Sequence, residues 1–210
     1  MESADQAPKG LPLAKELAWD RILMADANDL AQKSGSQYLP EREAIRIPYL
    51  DQEVLVCLRE QEVIAEPSEP SLMEQVLVLR YLTLCDGTKP AGDWTTFREL
   101  PGGKSYYGPF LARTARPLIA RFGHNRPAFE RASRSLLGDR LTFGDSSFAY
   151  RLLPHAWLAI VLHLGDEEFS PEVTILFDRA LHHQFTTEDC AVAAQVLCQR
   201  LLRAAAQPHT

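Results

Sequence analysis

The most constraining feature of this chain is the run Trp157-Leu-Ala-Ile-Val-Leu-His163-Leu164, in which His163 is the one polar side chain. It is closed by Gly165-Asp166-Glu167-Glu168. The run is too short to cross a membrane, and no 18-residue apolar run occurs elsewhere in the sequence. An unbroken apolar segment of this length reads as a central strand covered on both faces, with His163 as a buried imidazole. Leu141–Phe143 and Phe148–Leu153 are its expected companions. Upstream, Ala44–Tyr49 and Val54–Arg59 alternate around Asp51-Gln52 and predict a hairpin, with Val63-Ile64 as a short extension. The prolines of Glu66-Pro67-Ser68-Glu69-Pro70 end that block, because they cannot continue a ladder.

Helical signals fill the rest. The polar residues 1–10 predict a frayed end, followed by one helix over Pro12–Lys33 that stops at Gly35. Ser71 with Glu74 forms a capping box for Leu72–Cys85, which is apolar nearly all round and therefore buried on several sides. Further helices are expected over Phe110–Phe122, Pro127–Leu137 and, behind the Ser170-Pro171 start signal, as far as His183. Thr186 or Thr187 caps the last helix, with Asp189 as its acid. Strands early and late, with helices between and after, give an α+β fold with one mixed or antiparallel sheet packed with largely buried helices. Residues 1–35 read as a helical extension to a single domain over 36–210.

With 210 residues, 46% apolar and 24% charged, the chain is of ordinary globular composition. Cys57, Cys85, Cys190 and Cys198 form no C-x-x-C pair and read as buried reduced thiols. No signal-peptide core opens the sequence, so a cytoplasmic location is expected, with no membrane contact. The net charge of −6 is unevenly spread: residues 1–70 carry −7, residues 71–136 carry +5 and residues 137–210 carry −4. Arginine outnumbers lysine 17 to 5, which suits carboxylate and phosphate partners. The acidic whole and the lack of an aromatic-basic signature argue against nucleic acid.

No phosphate loop, dinucleotide fingerprint, G-x-S-x-G or H-E-x-x-H motif is present. Residues 88–109 are the most unusual stretch, a Gly-rich loop carrying Trp94, Phe97, Tyr106 and Tyr107. Such loops are often functional, although a packed Ω-loop accounts for the same composition. Asp166, Glu167 and Glu168 fit either a helix N-terminus or a hard-metal site. On a helix from Pro171, His183 falls on the face of Val173, Leu176, Phe177 and Ala180, just before Glu188-Asp189. It is then either a core histidine bonded to the next cap or a ligand to a metal.

Three blocks carry a family resemblance: Trp94-Thr-Thr-Phe-Arg98-Glu99-Leu-Pro-Gly102-Gly103 with Tyr106; Gly165-Asp-Glu-Glu-Phe169; and Leu176-Phe177-Asp178 with His183 and Thr187-Glu188-Asp189. Together, over roughly residues 40–205, the chain resembles domain of unknown function 3786, a family of anaerobic bacteria and archaea. Some relatives carry an iron–sulfur domain like that of corrinoid iron–sulfur proteins, whose cysteines this chain lacks. The resemblance implies corrinoid or other tetrapyrrole metabolism and no established reaction.

The expectation that follows is an accessory cofactor-binding protein, its ligand a tetrapyrrole, corrinoid before haem. Trp94, Phe97 and Tyr106 would wall the pocket, Arg98 and other arginines of the basic stretch 71–136, such as Arg113, would meet peripheral carboxylates and His183 would approach the metal. The three blocks would then line one concavity. One alternative is a metal-dependent enzyme using Asp166, Glu167, His183 and Asp189. Another is a protein-interaction module docking a partner from cofactor metabolism through the aromatic loop.

Overall fold

The computed structural model describes residues 10–66 and 68–206, so the frayed end expected over residues 1–10 lies, Gly10 apart, outside the described residues, as does Pro67. The chain orders α1 (Leu11–Met24), α2 (Ala27–Ser34), β1 (Gln37–Leu39), β2 (Ala44–Tyr49), β3 (Gln52–Cys57), β4 (Glu62–Glu66) and α3 (Leu72–Leu84). Then follow β5 (Trp94–Thr96), α4 (Gly103–Arg113), α5 (Ala115–Phe122), α6 (Arg126–Ser135), β6 (Asp139–Leu141), β7 (Ser146–Leu153), β8 (Ala156–His163), β9 (Glu172–Asp178) and α7 (Thr187–Ala206). Short 3-10 turns at Pro40–Arg42, Phe97–Glu99 and Arg179–His183 join them.

The fold is α+β with antiparallel strands, arranged in two sheets where one was expected. The first is the meander β1-β2-β3-β4, and the second has the order β5-β9-β8-β7-β6. The apolar run becomes β8, central in its sheet as its composition requires, with Leu158, Ala159, Ile160 and Leu162 fully buried. His163 departs from expectation. It is the last residue of the strand, paired with Glu172, and it is exposed.

The largest correction concerns residues 171–183, expected as a helix and found as β9 and a 3-10 turn. Ser170-Pro171 imitates a helix start. The stretch that follows is β-branched and alternates, with Val173, Ile175 and Phe177 buried and Thr174 and Leu176 half-buried. Period two therefore prevails, and the helical phase assigned to His183 disappears with the helix. Two other expected helices are broken. Ala25 is extended and Asp26 caps α2, accepting from the Asp29 N–H at 2.8 Å, so Pro12–Lys33 forms two helices. Buried Thr114 separates α4 from α5, and its hydroxyl donates to the Phe110 carbonyl at 2.6 Å.

The capping expectations hold. Ser71 and Glu74 cap α3 reciprocally, and buried Glu74 also accepts from the Tyr49 hydroxyl at 3.1 Å. Thr186 and Asp189 do the same for α7. Both helices are deeply packed, α3 through Val76, Leu77, Val78, Leu79, Tyr81 and Leu82, and α7 through Ala193, Ala194, Val196, Leu197 and Leu201. Trp19, Ile22, Leu30 and Ala31 of α1 and α2 enter the same core. The four cysteines are free thiols, with Cys57 half-buried and the others buried.

Part of the basic middle is spent on one carboxylate. Glu130 of α6 accepts from Arg126 at 2.8 Å, Arg134 at 3.1 Å, Arg140 at 3.2 Å and the Ser146 hydroxyl at 3.2 Å. These bonds tie α6 to β6 and β7. The Arg126 bond, against the opposing effect of burial, and with support from Arg140 and Ser146, holds the Glu130 carboxyl at about 2. A depressed carboxyl contributes stability above its unfolded pKa of about 4.3 and loses that contribution as pH falls toward the folded value. Thermal unfolding should therefore show Glu130→Gln less stable than the parent at pH 7, with the gap closing between about pH 4.5 and pH 2. A gap independent of pH would contradict this assignment.

Candidate ligand cleft

The chain around residues 94–113 builds one wall of a cavity. β5 pairs antiparallel with the end of β9, Trp94 opposite Asp178. The chain then turns inward at Phe97, which is 1% exposed. Gly102 follows with φ +74°, and Gly103 opens α4 against the Phe97 carbonyl, where a Cβ would overlap the oxygen. The two glycines therefore serve a close turn and a helix start. The Gly-rich loop expected over 88–109 ends earlier than its composition suggests, and Tyr106 and Tyr107 are helical.

Behind that wall, Phe97 stacks on Phe110 with ring centroids 4.0 Å apart and planes 2° from parallel, and both tilt against Phe177. In front lies a cavity of about 530 Å³ between α1, α3, α4 and the start of α7. Its apolar lining includes Met73, Val76, Phe97, Tyr106, Phe110 and Val192. Its size and character are those of a small-molecule site.

Among the described residues four charged side chains line it: Arg80, Arg113, Glu188 and Asp189. Arg80 and Asp189 are mutually satisfied through a forked pair, Arg80 Nε to Oδ1 and Nη2 to Oδ2 at 2.7 Å. Asp189 Oδ2 also accepts from the Thr186 hydroxyl at 2.6 Å and the Thr186 N–H at 3.0 Å. Arg113 instead rests against Tyr106, donating to its hydroxyl at 2.7 Å with the guanidinium carbon 5.9 Å from the ring centroid. Among the described residues Arg113 and Glu188 have no ion-pair partner. Arg113 is thus a positioned cation that an incoming anion can meet without breaking a salt bridge.

The expected site residues are divided by this geometry. Phe97, Tyr106 and Asp189 line the cleft. Trp94, Arg98 and His183 do not. Arg98 is exposed, its guanidinium 5.0 Å above the Tyr107 ring centroid. Half-buried Trp94 sits on the edge strand β5. His183 belongs to the 3-10 turn after β9, and its Nδ1 lies 2.7 Å from Asp86 Oδ2.

Asp166 and Glu167 precede β9 while His183 follows it. Seven extended residues hold these ends about 20 Å apart. Exposed Asp166 closes a turn by accepting from the N–H groups of Glu168 and Phe169, which hold its carboxyl below the usual range. The three blocks therefore do not share one concavity. Among the described residues no group of three or more His, Cys, Asp or Glu side chains is placed to hold a metal ion. The set Asp166, Glu167, His183 and Asp189 does not assemble.

The cleft suits part of a tetrapyrrole and not all of it. It offers an aromatic lining and an arginine for a peripheral carboxylate. Among the described residues no histidine or cysteine lines it, so the axial role expected of His183 has no geometric basis.

Arg80 and the α1 wall are not expected from the sequence, which singles out Arg113 no more than the other arginines of the basic stretch 71–136. A lone arginine on an otherwise apolar helix was the available signal for Arg80, since a partly buried guanidinium needs a carboxylate. The Tyr106–Arg113 spacing is two helical turns, and it becomes legible only once α4 is known to begin at Gly103.

Among the described residues no helix is long and apolar enough to cross a membrane. The model of a family described as domain of unknown function (DUF3786) matches residues 26–200. No curated protein and no solved structure matches the chain.

Proposed function

The chain belongs to the family of domain of unknown function 3786, and we propose that it is an accessory binding protein for a planar, largely apolar small molecule bearing a carboxylate. The observation that carries this reading is Arg113, set against Tyr106 at the rim of an aromatic-floored cavity. Tetrapyrroles are the class with that chemistry to test first. The aromatic lining, and the absence of a histidine from it among the described residues, favour a ring recognised by its apolar body and its edge carboxylates, so a porphyrin is placed before the bulkier corrinoid.

Visible-range titration with haem, metal-free protoporphyrin and cobalamin tests the reading. Saturable binding of a porphyrin is expected, with the metal-free ring binding comparably to haem. Arg113→Ala should weaken it 10- to 100-fold, the scale of a charge-assisted hydrogen bond of about 1.5–3 kcal/mol. Ala191→Trp, which fills the cleft, should abolish it, and Glu188→Gln should tighten it by removing an opposing charge. His183→Ala should leave it unchanged. No saturable binding by the parent, or parental affinity in both Arg113→Ala and Ala191→Trp, would defeat the proposal.

A protein-docking role has one observation in its favour. Leu13, Leu17 and Met24 of α1 are 58%, 53% and 89% exposed and share one helical face. That face lies on a helix whose inner residues reach the cleft, so the two roles are compatible.

A further inference from the structure

His182 and His183 form an arrangement that the cleft does not use. Successive side chains on a 3-10 turn diverge by about 120°, yet these two rings lie with centroids 4.1 Å apart at 42°. Both are anchored by Nδ1. His182 Nδ1 bonds the Arg179 carbonyl at 2.9 Å, and His183 Nδ1 bonds the Asp86 carboxylate at 2.7 Å. Asp86 also grips the turn through its backbone, its N–H donating to the His183 carbonyl at 3.3 Å. A carbonyl and a carboxylate only accept, so both Nδ1 atoms carry hydrogen. In the neutral rings the lone pair then sits on Nε2. Neither Nε2 has a protein partner among the described residues. His182 is exposed and His183 partly so, with 37% of its side chain accessible.

We propose that His182 and His183 form an open two-imidazole site for a first-row divalent cation of the nickel, copper or zinc type, with Asp86 as the residue that orients His183. Imidazole nitrogen suits these cations. A metal-binding histidine characteristically donates its other ring N–H to a carboxylate or carbonyl, and here both rings do so. The ring separation is within reach of the spacing of about 3 Å between two nitrogen donors on one cation. Among the described residues no third protein donor converges, so water or a donor from an incoming molecule completes the coordination. The site is independent of the cleft, which lies on other elements.

Isothermal titration of the full chain with nickel(II), and separately with zinc(II), tests this. The parent should bind one equivalent. His182→Ala and His183→Ala should each weaken that binding at least tenfold. Asp86→Asn should weaken it about tenfold by loosening the His183 ring. All three residues are substantially exposed, and matched thermal unfolding of the variants checks that they fold. No saturable one-to-one binding by the parent overturns the proposal, as does an affinity unchanged in either histidine variant. Parental affinity in Asp86→Asn overturns the orienting role. Porphyrin binding through Arg113 should be the same in all these variants, so failure of the metal site and failure of the cleft reading are separate results.

Discussion

Asp189→Ala is expected to cost about 3 kcal/mol of folding stability, read by chemical denaturation. Asp189 is 5% exposed and serves two groups at once. It neutralises Arg80, whose side chain is only 27% exposed, and it completes the cap of α7 through Thr186. Removing it strands a partly buried guanidinium and leaves the helix start unsatisfied. Asp189→Asn keeps an oxygen for Thr186 and should lose less. Combining Asp189→Ala with Arg80→Met should recover part of the loss, because the stranded charge is then gone. A loss below about 1 kcal/mol in Asp189→Ala, or no recovery in the double variant, would show that the pair is not what joins α3 to α7.

Phe97→Ala should be the most damaging apolar truncation near the cleft, at about 4 kcal/mol. Its ring is buried against both Phe110 and Phe177, and it supports the α4 wall through the Phe110 stack. Truncation removes the stack and opens a void beneath the cavity floor. Phe97→Leu refills most of that volume and should cost about 1.5 kcal/mol. Equal losses in the two variants, or a loss under about 1.5 kcal/mol in Phe97→Ala, would rule out stacking as the support of the wall.

Legibility differed by the kind of signal. β8, the β2–β3 hairpin and both capping boxes were readable because each is local: an apolar run, an alternation, or a pair of residues three apart. β9 was misread because two helix-start residues precede a strand that also offers residues at helical spacing. Its β-branched residues and strict alternation carried the correct period. Phe97 and Tyr106 were legible as aromatics near glycines. Arg98 and Arg113 could not be told apart by sequence. One lies over Tyr107 outside the cavity, and the other faces in, by virtue of where α4 begins. Along the chain the expected acidic partners for His183 are Glu188-Asp189 of the next cap, but they are not what it bonds. Its partner is Asp86, 97 positions earlier, and spacing along the chain does not reveal such a pairing.

The topology also fixes when the cleft can come into being during synthesis. The strands β6 to β9 pair with their immediate successors, so that meander can zip up locally as it is made. β5 must wait for a partner that begins 76 positions after its last residue, and the α7 wall comes at the far end of the described chain. A nascent chain extending to residue 170 already contains α1, α3 and α4, yet it has neither the strand that seats Phe97 nor the carboxylate that pairs with Arg80. Loop closure over such a distance is entropically costly before any contact compensates for it. The aromatic floor therefore stays unformed until β9 and the start of α7 have been synthesised, and the proposed ligand could be taken up only after that point.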